Sequence, residues 1–360
     1  MRPYPGRFRA TRGNDSTTPT MSDNSAKRRR HWLLVAVKLL IVVVVVWFIW
    51  DTIVGGCEEL NKSPPHIDFW WLAAAGGLYL LGTLFCGIFW HRILRALGQN
   101  VGFWTALRAF YIGHLGKYVP GKAMVVILRA GLIRGPGVDA SLAVVSIFFE
   151  TLTMMSVGAL IAAAIVAVWF RGQPLLLWTS LVVLTVAGLP TFPPMFRRLV
   201  RLIGLGRLKP GMLEKLDGLG YGIVLLGWAL NVIGWAILGL SYWAVLRALG
   251  AESGNPWGQL HLYTAGVSLA VVAGFVSFVP GGAVVREAVL TEFIMEALGV
   301  SRAVALVAAV LLRLVWLAAE LAAAGVLWLG TRRREGPGHD GNREIEKPVA
   351  ADARSQLPRN

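Results

Sequence analysis

The sequence predicts an all-α polytopic membrane protein, with about six full transmembrane helices and two re-entrant helical hairpins in an inverted internal repeat. Three observations support this fold class. Of the 360 residues, 56% are hydrophobic and 15% are charged, whereas soluble domains carry about 25% charged residues. Apolar stretches of membrane-spanning length alternate with short basic or acidic loops. Two further apolar regions are each broken by a Pro-Gly dipeptide.

The formal net charge of +15 does not by itself indicate nucleic-acid binding. The basic residues stand in short runs beside apolar segments, as the positive-inside rule describes for cytoplasmic loops. No basic face with interleaved aromatics lies outside the apolar segments, so we expect no nucleic-acid partner. The two cysteines, Cys57 and Cys86, form neither a disulfide framework nor a metal site, and we expect no cofactor.

The chain begins with a polar region, 1–31, which we expect to be a disordered, basic cytoplasmic N-terminus. Met1 and Met21 both remain open as the start. A basic run then precedes the first apolar span, 32–53, which is long enough to cross a bilayer and has its basic end in the cytoplasm. The acidic loop 51–68 suits the outer face.

Next comes a span, a broken pair of short segments and a long span. The span 69–90 runs inward to basic residues. The segments 104–118 and 121–134 are each too short to cross roughly 30 Å of hydrocarbon unaided. Basic residues flank both ends of this pair, so a re-entrant hairpin entered from the cytoplasm fits better than two crossings. The span 141–170 then runs outward, and 174–189 returns.

The second half repeats this order after a strongly basic loop, 197–215, that we expect in the cytoplasm. The span 221–247 runs outward and is followed by a second broken pair, 260–278 and 283–298. The later arm carries too many charges for a lipid-facing crossing, so we expect a second hairpin that enters from outside. The final span, 303–330, ends at arginines on the cytoplasmic side.

Sequence landmarks recur in register in the two halves. The motif Leu-Arg-Ala-Leu-Gly at 94–98 returns at 246–250, an offset of 152 residues from Leu94 to Leu246, and each copy precedes a Pro-Gly corner. We therefore expect one transmembrane domain, 32–330, that contains two repeats, about 69–170 and about 221–330. A disordered cytoplasmic tail follows; it covers residues 331–360. Hairpins that enter from opposite sides make the repeats inverted, as in many transporters with a site near the midplane.

The first Pro-Gly corner is basic and predicts a binding site for an anionic headgroup. Lys117 and Lys122 flank Pro120-Gly121, and Arg129 follows two turns later. The half-helix after the proline begins with free N–H groups and a positive dipole end, which attract phosphate. The alternative is that these side chains are interfacial anchors that hold the hairpin at headgroup level, and both interpretations remain open.

The second corner, Pro280-Gly281-Gly282, is included in the predicted binding site because it is the counterpart of the first. Arg286 and Glu287 follow it on the later arm. We expect these two side chains to pair with each other. Gating of access from the outer face is the alternative role for them.

Charged residues also interrupt the long spans. The repeat places Glu150 beside position 312, so we expect Glu150 to pair with Arg313 near the pseudo-axis, because a lone charge at membrane depth is costly. Glu320 lies on the same helix face as Arg313 and is a competing partner. A proton-coupling role for Glu150 stays open.

Signals of catalysis are absent from the sequence. It contains no metal-ligand cluster, no Ser-His-Asp candidate and no nucleotide-binding loop, so we do not expect an enzyme. His91, His114 and His261 lie near predicted membrane interfaces and are interpreted as anchors.

Together these motifs resemble the transmembrane region of lysylphosphatidylglycerol synthases and its stand-alone relatives, the flippase-like domains. The resemblance covers roughly 70–330. The matching residues are Gly116-Lys117-Tyr118-Val119-Pro120-Gly121-Lys122 with Arg129, Pro280-Gly281-Gly282 with Glu287, and Arg313. The chain departs from the family at Val284, where glycine is frequent.

The resemblance implies movement of a membrane lipid with an anionic or zwitterionic headgroup between leaflets of the cell membrane. An aminoacylated phospholipid and a polyprenyl-linked sugar are two such lipids. It does not imply lysyl transfer, since that reaction belongs to a separate soluble domain and the polar tail here is too short to fold as one. Two alternatives remain: a non-transporting partner or scaffold of a glycosyltransferase or lipid-modifying enzyme, and a membrane-embedded transferase.

Overall fold

A computed structural model describes residues 67–119, 123–169, 188–202, 211–251, 255–277 and 284–332, with single positions at 178, 182, 185, 279 and 282. Several predictions fall wholly or mostly outside the described residues. They are the spans 32–53 and 174–189, the two tails, and the corner residues Pro120, Gly121, Lys122, Pro280 and Gly281.

All regular elements in the described part of the chain are helices. The α-helices are α1 Phe69–Ala96, α2 Phe103–His114, α3 Ala123–Leu132, α4 Ala140–Trp169, α5 Pro193–Leu202, α6 Met212–Lys215, α7 Tyr221–Ala248, α8 Leu260–Val276, α9 Val285–Leu298 and α10 Arg302–Arg332. Within these residues four helices, α1, α4, α7 and α10, are long and apolar enough to cross a membrane. The protein is therefore a multi-pass, all-helical membrane protein, and these four helices fall where the sequence predicts spans.

The repeated Leu-Arg-Ala-Leu-Gly motif ends α1 and α7 in the same way. Gly98 and Gly250 have φ angles of +70° and +69°, a left-handed conformation that favours glycine. The N–H of Gln99 donates to the Leu94 carbonyl, and the N–H of Ala251 donates to the Leu246 carbonyl, both across one closing turn. The motif is thus a helix C-cap used twice.

The helices α1 and α7 pack antiparallel along their length. The N–H of Asp68, which caps the start of α1, donates to the carbonyl of Ala248 at the end of α7, 2.9 Å away. At mid-helix Gly82 meets Gly234, and a methyl group added to either would lie 3.0 Å from the carbonyl oxygen of the other. These glycines are separated by the same offset as the repeated caps, so equivalent positions of two inverted helices touch each other.

The remaining helices follow the same approximate two-fold relation. In the first repeat α2 packs on α3, and in the second α8 packs on α9. Each hairpin also packs against the long helix of the other repeat, α2 against α10 and α8 against α4. The interior contains large fully buried aromatics from both repeats: Trp90, Phe110, Trp235, Tyr242 and Tyr263.

The basic segment expected as a loop over 197–215 is partly helical. It contains the end of α5 and all of α6. Phe196 is 2% exposed and packs edge-on against Phe149 of α4, with ring centroids 4.7 Å apart. Arg197 binds Asp217 at 2.8 Å across the loop. The apolar face of a short amphipathic helix therefore docks this region onto the long helices, which a charge pattern alone does not reveal.

Candidate functional site

Two glycines allow the arms of the first hairpin to pack backbone to backbone. A methyl group added to Gly116 would lie 2.7 Å from the backbone nitrogen of Val125, and one added to Gly113 would lie 2.4 Å from Cγ of Arg129. Helix α2 ends at His114, and a 3-10 turn, Leu115–Tyr118, carries the chain toward the corner. The close approach holds the Arg129 side chain against the other arm.

The second hairpin encloses Arg286 in the same manner. Methyl groups added to Gly274 and Gly282 would lie 2.3 Å and 2.8 Å from Cγ and Cδ of Arg286, and Gly282 has a φ of +66°. Val284 has a φ of +67°. A β-branched residue with positive φ is a strained backbone position. Gly274 and Gly282 thus pack closely against the Arg286 side chain.

A buried ion pair joins helices α3 and α4 of the first repeat. Arg129 Nη1 on α3 donates to Glu150 Oε2 on α4 at 2.8 Å, and each side chain is 3% exposed. The guanidinium also lies over the ring of Phe110, 4.1 Å from the centroid. Breaking one partner of such a pair leaves an uncompensated buried charge, which makes the pair structurally demanding.

A second ion pair stands at the equivalent place in the other repeat, between Glu287 on α9 and Arg313 on α10. Arg313 Nη1 donates to Glu287 Oε1 at 2.6 Å, with 26% of Arg313 exposed and 7% of Glu287. The other Glu287 oxygen, Oε2, is buried without a hydrogen-bond partner. In this pair the arginine is therefore accessible, whereas the carboxylate is buried.

A third pair joins the repeats. Lys117 of the first hairpin donates to Glu320 on α10, and the Tyr79 hydroxyl on α1 donates to the same carboxylate oxygen. The Glu320 side chain is 1% exposed and that of Lys117 is 23% exposed. Tyr79 stacks on Trp316 at 4.5 Å, and the Arg286 guanidinium lies 5.2 Å from the centroid of the Trp316 ring.

The predicted pairings are therefore wrong, although each predicted intramembrane charge that forms an ion pair does so with another residue of the predicted site. Glu150 pairs with Arg129 and not with Arg313, because arm α3 packs directly on α4 and supplies a nearer cation. Arg313 takes Glu287 rather than Glu320, since α9 packs on α10 in the same way.

The two neighbours Arg286 and Glu287 also do not form the expected pair. Glu287 turns toward Arg313, and Arg286 lies over Trp316. Consecutive residues on a helix point in directions about 100° apart, which favours separate partners.

Among the described residues the cluster has more cations than carboxylates. Four cationic side chains, Lys117, Arg129, Arg286 and Arg313, meet three carboxylates, Glu150, Glu287 and Glu320. No carboxylate of the described residues forms an ion pair with Arg286, which is attracted by Glu287 and repelled by Lys117 and Arg313. A partly buried excess of positive charge favours a compensating anion.

An open cleft lies at the accessible arginine of the second ion pair. It is small, with room for little more than one water molecule, and its lining includes Arg286, Glu287 and Arg313. The lining also includes apolar side chains, among them Val267 and Leu312. Cationic and apolar side chains that line one cleft fit the boundary between the anionic and apolar parts of an amphipathic ligand.

Three members of the cluster were not predicted as site residues: Tyr79, His114 and Trp316. His114 does not lie free at an interface as an anchor, because its ring contacts Arg129 and Glu320. Its position three residues before Lys117, on the same face of a helical turn, is a signal that the sequence offered. Tyr79 and Trp316 lie within long apolar spans and carry no local signal.

The described residues contain no group of three or more His, Cys, Asp or Glu side chains that could hold a metal ion. Cys86 is a buried free thiol whose sulfur lies 3.4 Å from Asn231 Oδ1. The chemistry available in the cluster is charge compensation and hydrogen bonding by cationic donors, which suits recognition of a phosphate or similar group.

Comparison with known proteins identifies the family. The model of the family described as "Lysylphosphatidylglycerol synthase TM region" matches residues 35–324. A comparison with curated proteins gave no match. Since the family match spans far more than half of the chain, the chain belongs to this family, as the motifs around the two corners predict.

Proposed function

We propose that this member of the lysylphosphatidylglycerol synthase TM region family moves a lipid with an anionic or zwitterionic headgroup between the leaflets of the cell membrane. The observation that carries the proposal is the excess of partly buried cations at the small cleft between the second hairpin and α10. A lipid phosphate at Arg286 and Arg313 would compensate that charge.

The energetics favour a phosphate over a neutral headgroup. Charge-assisted hydrogen bonds from arginine to phosphate are about twice as strong as neutral ones, and a partly water-excluded site strengthens them further. Arg313 is 26% exposed, so a ligand can reach it without breaking the core. The apolar side chains of the cleft can remain in contact with the glycerol and acyl part of the lipid.

An inverted architecture supports movement rather than static binding. We place six full spans in the membrane, with both termini in the cytoplasm and the two hairpins re-entering from opposite faces. Each hairpin packs against the long helix of the other repeat. Opening one hairpin contact at a time would expose the cluster to one leaflet and then to the other, which is alternating access.

We further propose that the chain changes no covalent bond in the lipid. The cluster supplies cations, carboxylates and one imidazole but no activated nucleophile. Function as a non-transporting partner of a lipid-modifying enzyme or glycosyltransferase is the competing proposal, and the transport assay separates the two.

The test uses full-length protein in phosphatidylcholine proteoliposomes with fluorescent phosphatidylglycerol and a membrane-impermeant quencher. The wild type is expected to expose inner-leaflet probe to the quencher. Arg286→Gln is expected to slow this about tenfold to a hundredfold, because one charge-assisted contact contributes about 1.5–3 kcal/mol.

Arg302→Gln is the matched control. This arginine forms an exposed pair with Glu292, with side chains 70% and 59% exposed, and its loss is expected to leave transport unchanged. A folded wild type that moves neither phosphatidylglycerol nor an aminoacylated analogue would overturn the transport proposal and favour the partner role.

A further inference from the structure

His114 occupies the junction between two ion pairs. It is the last residue of α2, its side chain is 20% exposed, and its ring stacks on Phe110 at 5.7 Å. Nδ1 lies 3.2 Å from Nη2 of Arg129, and Nε2 lies 3.8 Å from Oε1 of Glu320. One imidazole therefore touches both the Arg129–Glu150 pair and the Lys117–Glu320 pair.

These contacts define the protonation state of the ring. A guanidinium can only donate hydrogen bonds, so Nδ1 of His114 must accept from Arg129. The ring is then neutral, with its proton on Nε2, directed toward Glu320. A second proton would have to reside on Nδ1, where it would replace an attractive contact with Arg129 by a repulsive one.

The groups that face His114 explain when such a proton is tolerated. Cations on three elements act electrostatically on the ring: Lys117 on the 3-10 turn, Arg129 on α3 and Arg286 on α9. Glu320 on α10 is the facing carboxylate, and Lys117 already binds it. Adding a positive charge to a cluster that already has a cationic excess is unfavourable until an anion enters.

We propose that His114 takes up a proton when an anionic lipid headgroup binds, so that proton and lipid are bound cooperatively at this cluster. The inference rests on the proposed function and adds that a proton is the ion coupled to lipid binding. Two charges of opposite sign that enter one partly buried site stabilise each other, and this coupling is reciprocal by thermodynamic linkage.

The coupling also has a structural route. Protonated His114 loses its hydrogen bond from Arg129 and attracts Glu320 more strongly through Nε2. Glu320 then shifts from Lys117 toward the imidazole, which frees the Lys117 ammonium to bind the phosphate. The same proton thus supplies a charge and uncovers a second cation for the ligand.

The experiment measures proton uptake on binding. Full-length protein in nanodiscs is titrated with dihexanoylphosphatidylglycerol by calorimetry, in two buffers of different ionisation enthalpy, between about pH 5.5 and 8. The wild type is expected to take up close to one proton per lipid over part of this range. Affinity should be highest at low pH and fall by at most about tenfold per pH unit as pH rises.

Two non-titrating variants make the assignment to His114. In His114→Asn the amide oxygen takes the place of Nδ1 and can accept from Arg129, and in His114→Gln the amide nitrogen can donate toward Glu320. Both variants are expected to bind with no proton uptake and with affinity independent of pH. His91→Asn, at the end of α1 beside Phe103, is the matched control and should behave as the wild type.

The possible results of this titration separate the proton coupling from the proposed lipid transport. Binding by the wild type without proton exchange overturns the coupling alone and leaves the transport proposal standing. Uptake that persists in both His114 variants assigns the proton to another group and also overturns the inference. No binding at any pH in this range overturns the proposed function and the coupling together.

Discussion

The two repeats place an ion pair at the same architectural position, but with the charges exchanged. In the first repeat the hairpin arm carries the cation and the long helix carries the carboxylate, Arg129 on α3 and Glu150 on α4. In the second the arm carries the carboxylate and the long helix the cation, Glu287 on α9 and Arg313 on α10. The backbone repeat is thus symmetric while its electrostatics are not.

The two ion pairs also differ in how far their side chains are exposed. Both side chains of the first pair are 3% exposed, whereas Arg313 in the second is 26% exposed and lines the cleft. A closed pair can only hold helices together, while an open one can exchange its partner for a ligand. We therefore propose that the first pair holds α3 against α4 and that the second pair contributes to ligand binding.

The largest effect is expected from breaking the closed pair. Glu150→Leu leaves the Arg129 guanidinium buried without its carboxylate, which should cost about 3–5 kcal/mol of stability. A thermal unfolding assay in detergent should show a large fall in melting temperature. The double variant Arg129→Leu/Glu150→Leu, which removes both charges, should recover most of the loss. A double variant no more stable than the single would show that the pair is not the cause.

A smaller effect is expected from the open pair. Glu287→Gln removes the carboxylate but leaves Arg313 partly hydrated, so the stability loss should be about 1–2 kcal/mol. Binding of phosphatidylglycerol should be retained or strengthened, because the competing internal anion is gone. The same unfolding assay and the lipid titration check both expectations. A loss of stability as large as that of Glu150→Leu would remove the distinction between the two repeats.

The smallest effect is expected at the second corner. Val284 has φ +67° and ψ −49°, close to the rare and strained classic γ-turn geometry. Val284→Gly relieves that strain at the cost of backbone entropy, so stability should rise by only about 1 kcal/mol. Val285→Gly, one residue later and inside α9, is the control and should destabilise. Destabilisation by Val284→Gly as well would argue against strain at this corner.

Much of the fold was predictable because its signals are local. The four described spans follow from runs of apolar residues, and both caps follow from a glycine at the end of the Leu-Arg-Ala-Leu-Gly motif. The helical segment Pro193–Leu202 was missed, because its arginines suggested a loop while its apolar face is visible only at helical spacing.

The charged residues of the ion pairs were predictable, but their pairing was not, and neither was the presence of Tyr79, His114 and Trp316 in the site. Charges within apolar sequence indicated Glu150, Arg313 and Glu320, since such charges are costly and tend to be functional. Which charge meets which depends on how an arm packs against a helix many residues away, as in the contact of Lys117 with Glu320. We predicted contacts from a constant residue offset between the repeats, which assumes that equivalent positions carry the same kind of side chain. This assumption does not hold here, because the charges of the two ion pairs are exchanged.

The contact between Gly82 and Gly234 bears on the internal geometry of the chain. Equivalent residues that touch each other across a two-fold axis are the signature of an isologous interface between identical subunits. Here both residues belong to one chain, and the helices that carry them run in opposite directions. The contact is the one that two half-domains would make if they packed as an antiparallel homodimer, so the single chain has the internal geometry of a fused dimer.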